Sequence, residues 1–236
     1  MDEQRYLIAE DLLLLLLDDE RGSLLTDPIN VDAGLAGAVL LELAQRGRVK
    51  VDEAPGDPAT HVVHVSDDSP TGDDLLDGAL RLVGERDRTA TGVVEDLAVG
   101  LRRKVLDRLA ARGILTHEEG RLLGIFPRHR WPAHDDRHEM ALRAGLRDSL
   151  VQGASPTERV AALIALLDAI GAEHRVLPFP GVSNRKLRAR AAELSKESAW
   201  AAGSAQASDS VDVVSATRAA IAATNISASS SYPGGG

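Results

Sequence analysis

The stretch from Gly100 to Trp131 reads GLRRKVLDRLAARGILTHEEGRLLGIFPRHRW. Its first half is a cationic helix that stops at Gly113, because glycine takes the positive φ that closes a helix without steric cost. Its second half holds two apolar runs, Ile114-Leu115 and Leu122 to Phe126, separated by Glu118-Glu119-Gly120. Such a pair of runs about a polar, glycine-containing break predicts a hairpin turning at 118–120. At about 100° per residue, Leu101, Val105, Leu106 and Leu109 share one helical face, and Arg103, Lys104 and Arg108 point away from it into water. Arg102 falls inside the apolar arc, between Leu106 and Leu109. A guanidinium there needs an anion, since an unpaired buried charge is costly. The anion is either an internal carboxylate or a bound phosphate.

The same grammar occurs earlier in the chain. A helix over 33–46, capped by Asp32 and rich in small residues (Gly34, Ala36, Gly37, Ala38), ends at Gly47. Arg48 to Val51 and His61 to Val65 then alternate like the strands of a hairpin. Leu-Ala-Gln-Arg-Gly at 43–47 is echoed by Leu-Ala-Ala-Arg-Gly at 109–113. Two copies make an internal echo and not a solenoid, which needs three or more units. Tyr6 to Leu17 is apolar nearly all round and reads as a buried helix. Thr71, with Asp74 three residues on, fits a variant capping box for a helix over the acidic stretch that follows. Beyond Trp131 the chain is mostly helical: 135–152, 159–170 after Ser155-Pro156-Thr157-Glu158, a basic helix from Asn184, and a last helix over 211–223. The fold class expected is therefore mainly α, a helical bundle decorated with two short β-hairpins as winged-helix-like units. It forms a single domain over 1–225, with a disordered tail over 226–236.

Composition sets the outer limits. With 44% hydrophobic and 27% charged residues the chain is an ordinary globular one, and with 3% aromatics its core must be aliphatic. The net charge of −9 argues against broad nucleic-acid binding, leaving only a local basic patch. The absence of cysteine excludes disulfides and thiolate metal sites. The longest apolar run, Leu12 to Leu17, is far short of the ~20 residues that span a bilayer. The acidic N-terminus is unlike a signal peptide, so a cytoplasmic protein with at most peripheral membrane contact is expected. No nucleophile elbow, phosphate-cradling glycine loop or dinucleotide fingerprint is present. His134 and His138, four apart, have ligand spacing but lack a third ligand, so no metal and no catalytic residue is expected.

Several segments together carry a family resemblance: Ala9-Glu10-Asp11-Leu12-Leu13-Leu14; Gly34-Leu35-Ala36-Gly37 with Glu42-Leu43-Ala44-Gln45-Arg46-Gly47-Arg48; Ser69-Pro70-Thr71-Gly72-Asp73 with Leu75-Leu76-Asp77; and Arg112-Gly113-Ile114-Leu115-Thr116. In this order and spacing, over most of 5–200, the chain resembles the Golgi phosphoprotein family (the Golgi phosphoprotein-3-like domain). The resemblance implies a mostly helical fold, no enzymatic activity, no cofactor, and binding of phosphatidylinositol 4-phosphate at a membrane surface. In eukaryotic members it implies a Golgi tether that holds the cytosolic tails of glycosyltransferases. The family's lipid pocket uses two arginines three apart, which match Val99 and Arg102; its tryptophan falls near Asp27 and a further arginine on Ala36. Only Arg102 survives, with Arg103 and Lys104 beside it as head-group candidates. The family's bilayer-inserting hairpin matches 118–129 and keeps Leu122, Leu123, Ile125 and Phe126. The arginine-rich, lysine-poor composition points to a bacterial relative.

Two function classes follow. The first is a peripheral membrane protein that binds anionic phospholipid through Arg102, Arg103 and Lys104 and inserts Leu122, Leu123, Ile125 and Phe126, with Trp131 close behind. The second is a soluble helix-hairpin scaffold or regulator that binds protein or nucleic acid. In that case the hairpin simply packs as core on its own helix.

Overall fold

The computed structural model describes residues 6–18, 22–52, 60–116, 118–122, 126–131, 137–177, 181–197, 213–215 and 217–222; within 118–130 it describes the backbone. Leu123, Ile125, His134 and the tail over 226–236 lie outside the described residues. The chain is mainly α, as its periodicity requires, and is built around helix α1 (Ile8–Leu16). Every residue of α1 is buried, including Glu10 and Asp11. Five consecutive leucines cover all sides of so short a helix, so no face is left for water.

Helix α2 (Pro28–Gln45) packs along α1. It starts earlier than the sequence reading placed it. The Asp27 carboxylate accepts the Ile29 amide at 2.8 Å, and Pro28 takes the first helical position. Proline there needs no amide partner and arrives with helical φ. Asp32 is therefore inside the helix and is not its cap. Strands β1 (Val49–Val51), β2 (Val62–Val65) and β3 (Arg88–Thr89) form an antiparallel sheet in that order, with Val49 opposite Val65 and Val62 opposite Thr89. Between β2 and β3 lies α3 (Asp74–Gly84), capped by Asp73, which accepts the Leu75 and Leu76 amides. Thr71 is not the cap: its hydroxyl donates to Asp77 at 2.6 Å.

Helices α4 (Ala90–Ala98) and α5 (Leu101–Ala111) meet at a sharp corner where Gly100 takes φ +70°. The two halves of the internal echo end alike. Gly47 donates to the Ala44 carbonyl and Arg48 to that of Leu43, at 2.8 and 2.9 Å; Gly113 donates to Ala110 and Ile114 to Leu109, both at 2.9 Å. Both glycines have positive φ, 66° and 71°, the left-handed closure that only glycine adopts cheaply.

The second hairpin pairs β4 (Glu118–Leu122) with β5 (Phe126–Arg130), in a register running from Glu118 opposite Arg130 to Leu122 opposite Phe126. Residues 118–120, expected as the turn, are therefore strand. Glu118, Glu119 and Gly120 lie in a strand whose register partners are Arg130, His129 and Arg128. The apolar residues Leu122 and Phe126 close the ladder at its end.

The remaining helices are α6 (Arg137–Leu150), α7 (Glu158–Ile170), α8 (Glu173–Val176) and α9 (Asn184–Glu197). Helical residues at 213–215 and 217–222 follow. Helix α7 is central, with Leu163 to Leu167 all buried. Thr217, fully buried, is received over Gly37 of α2. A Cβ added at Gly37 would lie 2.2 Å from the Thr217 hydroxyl oxygen and 2.7 Å from its methyl. Gly37→Ala is therefore expected to destabilise the protein by about 1–3 kcal/mol, the usual cost of overpacking. Thr217→Ala in the same chain should recover most of the loss. Urea melts test this, and a wild-type midpoint for Gly37→Ala would refute the close contact.

Candidate functional site

The cations of α5 divide by the direction in which they point. Arg108 and Arg112 are turned inward. Arg112 Nη1 donates to both oxygens of the fully buried Glu10 at 3.0 Å. Arg108 Nη2 meets Asp73 at 2.7 Å, and its Nε lies 3.5 Å from Glu10. Arg108 was expected in water, but its turn of the helix faces both the α1 carboxylate and the α3 cap. Burial lowers the pKa of its guanidinium, yet the bonds to Asp73 and Glu10 outweigh burial and leave it raised.

The first turn of α5 faces outward. Arg102 has the internal carboxylate that its position demands: its Nε is 3.5 Å from Asp32, and Nη1 donates to the Pro28 carbonyl at 3.3 Å. Arg103 bonds Asp107 at 3.0 Å and lies over the Trp131 ring, 5.3 Å from its centroid. Trp131 itself is buried, which removes it from the membrane-facing set. Its amide bonds the Gly22 carbonyl, so it anchors the hairpin's base beneath α5. Lys104 is exposed and forms no ion pair among the described residues.

Two cavities flank the α4–α5 corner and share Val99 as a wall. One, of about 440 Å³, is lined by Ile29, Asp32, Val94, Glu95 and Gly100. Its charged groups are carboxylates. Val99 is 77% exposed and Ile29 46%, unusual values for large aliphatic side chains in this fold. The other, of about 660 Å³, lies between α3 and α5 over Leu75, Leu97 and Leu101, with Arg81 and Lys104 at its edge. A third, of about 920 Å³, is bordered by Asp67, Asp77 and Glu85. Two of these acids already have internal partners. The Ser69 hydroxyl and amide lower Asp67, which Arg48 also pairs, and the Thr71 hydroxyl and amide lower Asp77.

His138, considered with His134 as a ligand pair, is bonded to Asp11 at 2.7 Å and stacked on Tyr6 with ring centroids 3.8 Å apart. Among the described residues no group of three or more His, Asp and Glu side chains is placed to hold a metal. Asp32, Ile29, Val99 and Arg81 escaped sequence reasoning as site residues, because each acquires its setting from a helix distant in the chain. The exposed Val99 had one visible signal, an aliphatic residue directly before the corner glycine.

The fold and this corner define a mainly helical module whose distinctive surface sets exposed aliphatic side chains beside a cationic helical turn. No described helix is long and apolar enough to cross a membrane. The family model described as Golgi phosphoprotein 3 (GPP34) matches residues 8–212, and the chain belongs to that family. It is 40% identical over 85 residues to the vacuolar protein sorting-associated protein 74 of Eremothecium gossypii, covering 34% of this chain and 26% of that protein. To the Schizosaccharomyces pombe protein of the same name it is 29% identical over 139 residues, covering 51% of this chain and 41% of the relative. The chain thus spans well under half the length of either relative. Both are fungal, and the bacterial origin read from composition gains no support from them.

Asp32 yields a test of the corner's electrostatics. Burial raises its carboxyl pKa, and the nearby Arg102 offsets this only in part. A raised folded-state pKa contributes stability that is fully present below the unfolded value and lost as pH rises through the folded one. Asp32→Asn, neutral at every pH, should therefore melt higher than wild type at neutral pH. The difference should vanish once the pH is well below the ordinary carboxylate range. Thermal melts across pH decide this, and a variant less stable at neutral pH would show that the Arg102 pair outweighs desolvation.

Proposed function

We propose that the protein is a peripheral membrane protein that docks on anionic phospholipid through the first turn of α5 and the β4–β5 hairpin. The observation that carries this reading is the α4–α5 corner, where exposed Val99 and Ile29 adjoin the cationic run Arg102, Arg103 and Lys104. Exposed aliphatic groups beside cations are what an interfacial surface needs. The former enter the headgroup boundary while the latter meet lipid phosphates. Each cation near an anionic leaflet contributes about 1 kcal/mol.

The hairpin register supports the same reading. It places Glu118 and Glu119 at the base and brings Leu122 and Phe126 together at the far end. Five residues of strand reach roughly 16 Å, so the acidic pair is set well back from the apolar end. Membership of the Golgi phosphoprotein 3 family agrees with a membrane-surface role. Phosphatidylinositol 4-phosphate is the head group this reading favours, and a part in protein sorting, as the names of the two relatives say of them, accords with it. No catalytic role is assigned.

Flotation with phosphatidylcholine vesicles, with and without phosphatidylinositol 4-phosphate or phosphatidylserine, tests the proposal. Wild type should float only with anionic vesicles. Leu123→Asp with Ile125→Asp should abolish flotation while leaving the melting temperature unchanged. Cooperative unfolding of that double variant would instead make the hairpin part of the core, and undiminished flotation would remove it from the contact.

A further inference from the structure

The cavity on the α4 side of Val99 is a poor place for a phosphate. Asp32 and Glu95 line it, and Arg102 beside it is engaged by Asp32 and the Pro28 carbonyl. On the other side of Val99, the cavity between α3 and α5 has the opposite character once its internal pairs are set aside. Arg108 is bound to Asp73 and Glu10, Asp96 to Arg88, and Asp107 to Arg103. Of the charged groups on this cavity, that leaves Lys104, Arg81 and Asp74, a surplus of cation. Among the described residues neither Lys104 nor Arg81 forms an ion pair or a side-chain hydrogen bond. Arg81 lies on the same helix as Asp77, four residues after it, and acts on that carboxyl only through its field. Arg81 is exposed and borders two openings, this cavity and the one lined by Asp67, Asp77 and Glu85; its Nη2 lies 3.9 Å from where a Cβ on Gly78, part of this cavity's wall, would be. Beneath these two cations the floor is aliphatic, with Leu97 and Leu101 nearly buried.

We infer that in this chain the phosphate of an anionic phospholipid head group is held in the α3–α5 cavity by Arg81 and Lys104, on the far side of Val99 from the cavity lined by Asp32 and Glu95. The inference rests on the membrane reading above and assigns that reading its binding pocket. A guanidinium offers a planar fork that grips two phosphate oxygens, and an ammonium adds a compact second charge. The aliphatic floor accommodates the glycerol and the first acyl carbons, and Val99, exposed on the ridge between the cavities, faces the lipid alongside it.

The test compares vesicle affinities of the full chain, using phosphatidylcholine doped with phosphatidylinositol 4-phosphate. Arg81→Ala with Lys104→Ala is set against Arg185→Ala with Lys186→Ala, which removes the same charge from the exposed start of α9. The first pair should weaken binding at least about tenfold more than the second. Gly78→Leu, which fills the cavity without altering charge, should weaken it as well, with folding checked by its melting temperature. Glu95→Gln, in the acidic cavity, should change affinity less than twofold. Equal losses for the two alanine pairs, or a strong gain from Glu95→Gln, would overturn the inference while leaving membrane binding intact. Wild type that fails to bind any anionic vesicle would overturn both.

Discussion

Everything in this fold is arranged around two adjacent carboxylates that have no access to water. Glu10 and Asp11 sit on a nine-residue helix buried on every side, and ionised carboxylates in such a place persist only if each oxygen is served. Glu10 accepts the Leu7 amide at 2.7 Å and the Arg112 guanidinium, while Asp11 takes His138 on one oxygen and Arg159 on the other. Glu42 of α2 accepts the Ile8 amide at 2.8 Å and is paired by Arg46, which satisfies the helix start from the opposite side. Helices α2, α5, α6 and α7 are thereby each tied to α1 by at least one charged bond. Such pairs add little net stability compared with an apolar core, but removing one partner costs several kcal/mol. Their effect is to permit one arrangement of the four helices and penalise slippage. Tyr6 contributes to the same cluster, with the Arg112 guanidinium 4.1 Å over its ring and His138 stacked against it.

That demand determines which cations are left for a ligand. Helix α5 carries five basic residues within the stretch 102–112, and the core claims them in order of depth. Arg112 and Arg108 answer Glu10 and Asp73, Arg102 answers Asp32, and Arg103 is shared between Asp107 and Trp131. Only Lys104 is left without an internal anion among the described residues. A count of basic residues on the helix therefore overstates the charge available at the surface.

The parts of this organisation visible in the sequence were those set by local rules. The buried first helix, the glycine closures at 47 and 113 and the mainly helical class follow from periodicity and from glycine's freedom at positive φ. Asp27-Pro28 also carried a helix-start signal, but the small residues from Ala33 onward drew attention to a later cap. The turn of the second hairpin was misplaced because glutamates and glycine usually mark turns. Here residues 118–120 instead pair with 128–130 as part of a ladder. Arg81 was invisible for a different reason. Its companion on the cavity is twenty-three residues away on another helix, and only the tertiary fold brings the two cations to one opening.

The net charge of −9 then bears on how such a surface would be used. An acidic protein is repelled as a whole by an anionic leaflet, but at physiological ionic strength that repulsion is screened beyond about 8 Å. Within that distance only the face presented to the membrane matters. A face carrying Lys104 and the exposed Val99 and Ile29 would gain from contact, one presenting Asp67, Asp68 and Glu85 would lose, and Arg81 borders both. On the proposed reading, the overall acidity would work as an orientation filter: it would deny the generic adhesion a basic protein shows and leave few approaches productive. Binding by that route would depend on a built pocket and on apolar contact more than on summed charge, which is why the distinction between the two cavities beside Val99 bears on what would be recognised.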